Sequence, residues 1–516
     1  MKTSAETADN HFSKVQQHSN RQDTFFILLL VSIAFLAWVP RFSGMIDLRW
    51  DGGVYYVLGT SLAEGKGYRL LNEPGEIEAV QYPPLLPFLI ALHQKVSGTE
   101  DPVTVGYWLR KSWILIFLAF VPAVYCLARS YLSHVYSLFA AILSCFNFYT
   151  LYLSDMATPE ILYALCSVLF FLFQRKNEKK TTAVAIVVAT SCFYLRTIGI
   201  ALFAAWILEC LFRKKIKNAV LRILLTILVV SPWLIHVQRV ENLTGNSKSY
   251  YEYQRADYLF YNVSYTRNIS LKDPFEPELG KASIGDWIGR WWINLRNIPM
   301  SVAETLTVDH DSWYRYYTTW LAGFPIPIPW GLFYVALVIL GCLTIVGVLI
   351  LLSKQNSLLS IYILLYVAGI CLAPWPSHRS RYLVPLLPFL VVSLLVLLFK
   401  FREVLKRFTG LRMRGFPVLV LSVIFVAQQL TVMNLYRRHL DPVNFESATG
   451  KSIDSRWFYY DSPEQSWAEG LRWLRRNAES GTLIACSMPQ SVYIRTGLKS
   501  VMVPIVKDPS EAQRLL

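Results

Sequence analysis

Four short segments of this chain press acids and bases against long apolar runs. Asp47 and Asp51 lie in Asp47-Leu48-Arg49-Trp50-Asp51-Gly52-Gly53. Asp155 and Glu160 lie in Ser154-Asp155-Met156-Ala157-Thr158-Pro159-Glu160, and Arg196 in Leu195-Arg196-Thr197-Ile198-Gly199. His378, Arg379 and Arg381 lie in Pro376-Ser377-His378-Arg379-Ser380-Arg381-Tyr382. An ionisable group at or near membrane depth is costly and marks function by default. A carboxylate can take the proton of an acceptor hydroxyl, worth typically about 10²–10⁴ in rate. Guanidinium groups hold phosphate through charge-assisted, bidentate hydrogen bonds. A sugar joined through its anomeric carbon to a lipid phosphate needs both kinds of group at a membrane surface. Each residue also has a plainer reading: Asp51 as a helix cap, Glu160 as a first-turn acid favoured by the helix dipole, Arg379 and Arg381 as interfacial anchors. The set weighs more than any member.

The elements that must position these residues are membrane helices. The chain has 516 residues, 54% hydrophobic and 16% charged, against about 25% charged in soluble proteins. Apolar runs long enough for helical spans of roughly 20 residues predict about eleven helices, at 25–45, 112–130, 134–153, 158–174, 181–195, 197–212, 219–236, 328–353, 358–373, 381–399 and 416–435. The fold class expected is therefore mainly α, a polytopic helical bundle. The stretch 181–212 exceeds one span, and a break at Arg196 lets both flanking basic loops face the same side.

The net charge of +15 does not call for nucleic acid. Its bases gather at Arg175–Lys180, Arg213–Arg222 and Lys400–Arg414, between predicted spans. That is the positive-inside pattern. It predicts a cytoplasmic amino-terminal tail (1–24), a transmembrane module (25–436) and an extracytoplasmic carboxyl-terminal segment (437–516), and the length of the chain suits an inner (plasma) membrane. The last segment, with an amphipathic helix around Trp467–Leu474 and a strand at Leu483–Cys486, reads as a small α/β unit, short or incomplete. The four acid–base segments then fall on the extracytoplasmic side, with loops 46–111 and 237–327. In the first loop, Tyr82-Pro83-Pro84-Leu85-Leu86-Pro87 opens an apolar stretch too short to span, an interfacial helix starting on proline. No CxxC, His-x-x-x-His or HExxH spacing gives a disulfide framework or a local metal site. Aromatic residues crowd Tyr250–Tyr261, suiting sugar faces or an interfacial belt.

The string Asp51-Gly52-Gly53-Val54-Tyr55-Tyr56-Val57-Leu58-Gly59-Thr60-Ser61-Leu62-Ala63-Glu64-Gly65-Lys66-Gly67-Tyr68, with Tyr82-Pro83-Pro84-Leu85-Leu86-Pro87, resembles the first outer loop of GT-C membrane glycosyltransferases. Bacterial relatives of the protein O-mannosyltransferases and of the aminoarabinose transferase of lipid A are the kin it looks like. Thr158-Pro159-Glu160-Ile161-Leu162, Leu195-Arg196-Thr197-Ile198-Gly199 and Arg381-Tyr382-Leu383-Val384-Pro385 match in order. The resemblance implies inverting transfer from a polyprenyl-phosphate sugar to a lipid, glycan or protein acceptor. It implies Asp51 as catalytic base and Arg196 and Arg381 as donor-phosphate ligands, with Arg379 and His378 in the same cluster. Tyr55, Tyr56 and Tyr82 are the acceptor-loop residues of the matching strings. The common Asp-Glu pair is broken here by Gly52, so a second acid has to come from Glu160 or Asp155. Some relatives bind a divalent metal near these acids; this sequence leaves the metal undecided and names no other cofactor. A glycolipid transporter or flippase is the rival reading, and it suits charges at the midplane of repeated halves. Here the charges sit at one rim and no repeat is visible.

Overall fold

The computed structural model describes residues 21–176, 179–246, 261–320, 329–352, 357–374, 379–409, 415–438, 442–457, 460, 462–504 and 508–515. Helices dominate it. α1 (Arg21–Arg41) leads into a loop that holds α2 (Asp51–Ala63) and α3 (Leu85–Ser97). Then come α4 (Pro102–Arg129), α5 (His134–Cys145), α6 (Phe148–Ser154), α7 (Glu160–Lys176), α8 (Lys179–Leu195), α9 (Ile200–Phe212) and α10 (Ile216–Asn246). α11 (Tyr265–Ser270), α12 (Ile284–Leu306) and α13 (His310–Trp320) belong to the second large loop. α14 (Trp330–Leu352), α15 (Ser357–Ile370), α16 (Arg379–Leu383), α17 (Leu387–Thr409) and α18 (Gly415–Arg438) complete the bundle.

Each of the eleven predicted apolar segments is helical over most of its described residues. Among the described residues five helices have the length and apolarity to cross a membrane, or six if α5 and α6, bent by 58°, form one broken span. Lys180–Leu195, Thr197–Phe212, Ser357–Ile370 and Val420–Met433 are shorter apolar helices. α10 covers the outside of the bundle and exposes Leu224, Ile227, Leu228, Leu234 and Ile235, the pattern of a lipid-facing helix, whereas α17 is enclosed, with Leu387, Phe389, Leu390 and Leu395 buried.

The break expected at Arg196 is present. Arg196 is extended (φ −150°, ψ 133°) and ends α8. Gly199 lies so close to α8 that a Cβ there would meet the Cys192 carbonyl carbon at 2.5 Å; only glycine allows that approach. α3 is the expected interfacial helix. Its 13 residues span about 20 Å, short of the ~30 Å hydrocarbon core. It buries Leu86 and Ile90 against α2 and leaves Phe88, Leu92 and Val96 outside.

The carboxyl-terminal segment is α/β, as expected. β1 (Val443–Glu446) pairs antiparallel with β2 (Ser452–Ser455), a hairpin the sequence reading did not anticipate. After α19 (Ser462–Asn477), β3 (Ile484–Cys486) runs parallel to β4 (Ser500–Met502) through the crossover helix α20 (Pro489–Thr496), and α21 (Pro509–Leu515) follows. The segment is docked on the first loop. The Ser455 hydroxyl donates to Met45 O (3.1 Å) and accepts from Met45 N (3.2 Å), Trp457 Nε1 donates to Met45 O (3.3 Å), and Ser500 N donates to Asn72 O (2.7 Å). That docking backs the turn that carries Asp51.

Candidate active site

Two chain turns meet at the site because they pair. Asp47 N donates to Asp155 O and Ala157 N to Asp47 O, both at 3.0 Å, an isolated parallel bridge between residues 47 and 156. The Asp47 carboxylate grips its own turn, accepting from Arg49 Nε and Nη2 at 2.9 and 2.6 Å. Trp50 then takes φ 52° and ψ −125°, a backbone state a bulky residue rarely adopts. The turn lets α2 begin on Asp51, and the residues after it crowd the turn. A Cβ on Gly52 would stand 3.2 Å from Asp47 O, a tight contact at this turn. On the other side of the bridge, α7 begins on Glu160.

The cluster is built around Arg381. Its Nη2 donates to Asp51 Oδ2 at 2.7 Å and its Nε to Glu160 Oε1 at 2.6 Å. Arg196 Nη2 donates to the same Glu160 oxygen. The Tyr82 hydroxyl donates to Asp51 Oδ1 at 3.0 Å. The Glu160 side chain is fully buried, while those of Asp51 and Arg381 keep 22% and 25% of their surface. So Glu160 anchors the arginines from below, and Asp51 and Arg381 face a cavity of about 450 Å³. Arg196 Nε is buried and has no partner among the described residues.

The cavity wall is aromatic. Trp50, Tyr82, Tyr152, Tyr261, Tyr265 and Tyr382 line it, and the Tyr82 ring lies 5.4 Å from that of Tyr261 and 4.8 Å from that of Tyr55. Burial first, and then the neighbouring Asp51 carboxylate, push the Tyr82 phenol well above its usual range, so it stays a hydrogen-bond donor. The same burial raises Tyr265. Such rings offer flat faces to a sugar or an isoprenoid.

The structure brings together Asp51, Glu160, Arg196, Arg381 and Tyr82 from the sequence reading. It seats the others elsewhere. Asp155 is enclosed between Arg41 and Arg110, at 3.3 and 2.5 Å, and only its main chain serves the site. Arg379 turns away, and its Nη1 donates to Asn294 Oδ1 at 2.7 Å. The Tyr56 hydroxyl donates to Glu100 O at 2.7 Å, away from the cavity. Tyr55 is wholly buried behind Tyr82. His378 lies outside the described residues, as does most of Tyr250–Tyr261. Trp50, Tyr152, Tyr265 and Tyr382 were not singled out in advance. Trp50 and Tyr382 adjoin residues that were, but Tyr152 and Tyr265 carry no sequence signal.

A divalent cation does not fit this donor set as arranged. Among the described residues no three His, Cys, Asp or Glu side chains converge. Asp51 and Glu160, the two acids of the site, share one guanidinium in the place a cation would take between them.

No protein-family model matches the chain, and no curated protein resembles it in sequence. Solved structures do resemble it. The oligosaccharyltransferase of Archaeoglobus fulgidus, tethered to an acceptor peptide, matches with TM-score 0.53 and 11% identity over 95% of this chain and 68% of that one. The same organism's oligosaccharyltransferase AglB, in complex with an inhibitory peptide and a dolichol-phosphate, matches with TM-score 0.50 and 11% identity over 95% of this chain and 65% of that one. This chain thus spans about two thirds of the length of those proteins. ArnT from Cupriavidus metallidurans, bound to undecaprenyl phosphate, overlaps with 12% identity over 69% and 78% of the two chains, at a TM-score of 0.33 too low to carry an argument. In fold, this chain is similar to the oligosaccharyltransferase of Archaeoglobus fulgidus.

Proposed function

We propose that this protein transfers a sugar from a polyprenyl-phosphate donor to a hydroxyl acceptor (lipid, glycan or protein) at the extracytoplasmic face of a cell membrane. The observation that carries the reading is the Arg381 bridge. One guanidinium ties an exposed carboxylate, Asp51, to a buried one, Glu160, beside the unspent Nε of Arg196, in a tyrosine-lined cavity. Asp51 accepts the acceptor hydroxyl's proton while the freed oxygen attacks the anomeric carbon. The bond from that carbon to the phosphate oxygen breaks on the opposite face, and its electron pair stays with the phosphate. Arg196 and Arg381 meet the charge that develops there, as preorganised donors do best in a site shielded from water. Tyr82 holds Asp51 in its productive rotamer. Inversion at the anomeric carbon follows from the single displacement. The positive-inside distribution supports the sidedness, and the binding of dolichol-phosphate by the AglB relative supports the class of donor.

Proteoliposomes holding the purified protein, given radiolabelled polyprenyl-phosphate monosaccharides or a pyrophosphate-linked oligosaccharide, test the reading. Label transfer from a monophosphate donor, with inverted anomeric configuration, is expected. Transfer only from the pyrophosphate oligosaccharide, or from neither, contradicts it.

A further inference from the structure

A second cavity, also of about 450 Å³, opens at the far end of the helices that carry the first site. Glu160 begins α7 and Arg175 nearly closes it, about 22 Å apart along the helix. Arg196 precedes α9 and Arg213 follows it. The cavity is basic: Arg175, Arg213, Lys215 and Arg222 line it against one acid, Glu209. Glu209 is shared between Arg213 at 3.0 Å and Arg222 at 4.0 Å, which leaves a surplus of positive charge.

The pocket is built rather than merely charged. The Arg222 guanidinium lies over the Trp206 ring, 4.0 Å from its centroid, and its Nη1 donates to Trp206 O. Arg175 lies 5.5 Å from the Tyr131 ring centroid. The side-chain oxygen of Gln174 is buried with no partner among the described residues, an acceptor open to a ligand hydroxyl. Phe171, Leu358 and Leu359 supply an apolar wall. The positive-inside rule explains an excess of bases at this edge of the membrane. It does not require four of them to converge on one cavity, with one fixed by stacking and an uncommitted acceptor beside them.

We infer that this cavity binds the phosphate headgroup of an anionic membrane lipid. Basic pockets between helices on the cytoplasmic side suit such headgroups, and the apolar wall receives the start of the acyl chains. Headgroup binding here clamps α7, α9, α10 and α15 together at the end opposite the Asp51 cavity.

The test uses the full chain, purified and stripped of lipid in a neutral detergent, with phosphatidylglycerol or phosphatidylcholine titrated back. Binding is read by native mass spectrometry and by thermal shift. Phosphatidylglycerol should be retained and raise Tm, and phosphatidylcholine should do neither. The triple variant Arg175→Gln/Arg213→Gln/Lys215→Gln should bind phosphatidylglycerol about fivefold more weakly for each base removed, while Lys at the two arginine positions should keep most of the affinity. Equal retention of the two lipids by the wild type overturns the inference even if the triple variant fails to insert. Displacement of phosphatidylglycerol by millimolar inorganic phosphate overturns the lipid source and leaves a free-phosphate site. Unchanged binding by a folded triple variant overturns the location.

Discussion

Asp155 and Glu160 stand five residues apart, each an acid held by two arginines, and they illustrate opposite uses of the same side chains. Asp155 meets Arg41 and Arg110, and all three are sealed, with 0–1% of their side-chain surface exposed. Arg41 also donates to Leu151 O and Ser154 Oγ, and Arg110 to Ser43 O and Arg456 O. That cluster staples the end of α1 to α4, α6 and the carboxyl-terminal segment. Glu160 meets Arg196 and Arg381, but there the arginines reach onward and line a cavity. A closed ion cluster is architecture, because removing one partner strands the rest. An open one has hydrogen-bonding capacity to offer a substrate.

The comparison can be broken most sharply at the arginine of the open cluster. Arg381→Gln should cut transfer by about 10²–10³, the usual cost of removing one donor to developing charge, with the chain still folded. An unchanged rate in membranes matched for expression would deny Arg381 its place at the phosphate. Asp155→Asn should do the reverse. It leaves two buried guanidinium groups short of a counter-charge, at a cost of about 3–5 kcal/mol, so detergent-solubilised protein should melt earlier while transfer per folded molecule stays near wild type. A smaller effect belongs to Tyr82→Phe, which removes one hydrogen bond to a charged group. A loss of about tenfold in kcat is expected, with KM for the donor held, since the phenol touches the base and not the phosphate.

The smallest effect lies away from both clusters, at Glu73, which burial pushes up to about 8 from 4.5. With the folded value above the unfolded one, folding favours the protonated acid. Its stabilising contribution is full below about 4.5 and is lost as pH rises towards 8. Glu73→Gln should flatten that slope, so melting curves between pH 5 and 8 should show wild type losing Tm relative to the variant. Parallel curves would place Glu73 in a wetter setting.

The open cluster was half legible in the sequence. Arg196 announced itself because a break at a charged residue between apolar runs had no cheaper explanation, and Gly199 makes that break physically. Asp51, Glu160 and Arg381 followed from the same logic of charge at a membrane rim. Asp155 shared every one of those signals, and nothing local says that its side chain points inward. That choice is made by Arg41 and Arg110, 114 and 45 residues away, which hydropathy reads only as charges near helix ends. Tyr152 and Tyr265 were hidden for a related reason, since an aromatic in a membrane chain is as ordinary in a belt as in a binding wall. The apolar helices were readable, whereas α2, α12 and α13 lie within stretches read only as outer loops. The β1–β2 hairpin was missed because its strands are only four residues long; Val443 and Phe445 alternate with polar residues in β1, but Ile453 is the one apolar residue of β2.

The central claim is that Asp51 is the base, and the most direct test is Asp51→Asn, assayed for transfer and thermal stability in the same preparation. The account predicts transfer reduced by about 10²–10⁴ and a Tm close to wild type, because the Asp51 side chain is partly solvated and Arg381 keeps Glu160. Undiminished transfer in folded Asp51→Asn protein would contradict it and move the base to another group of the cavity.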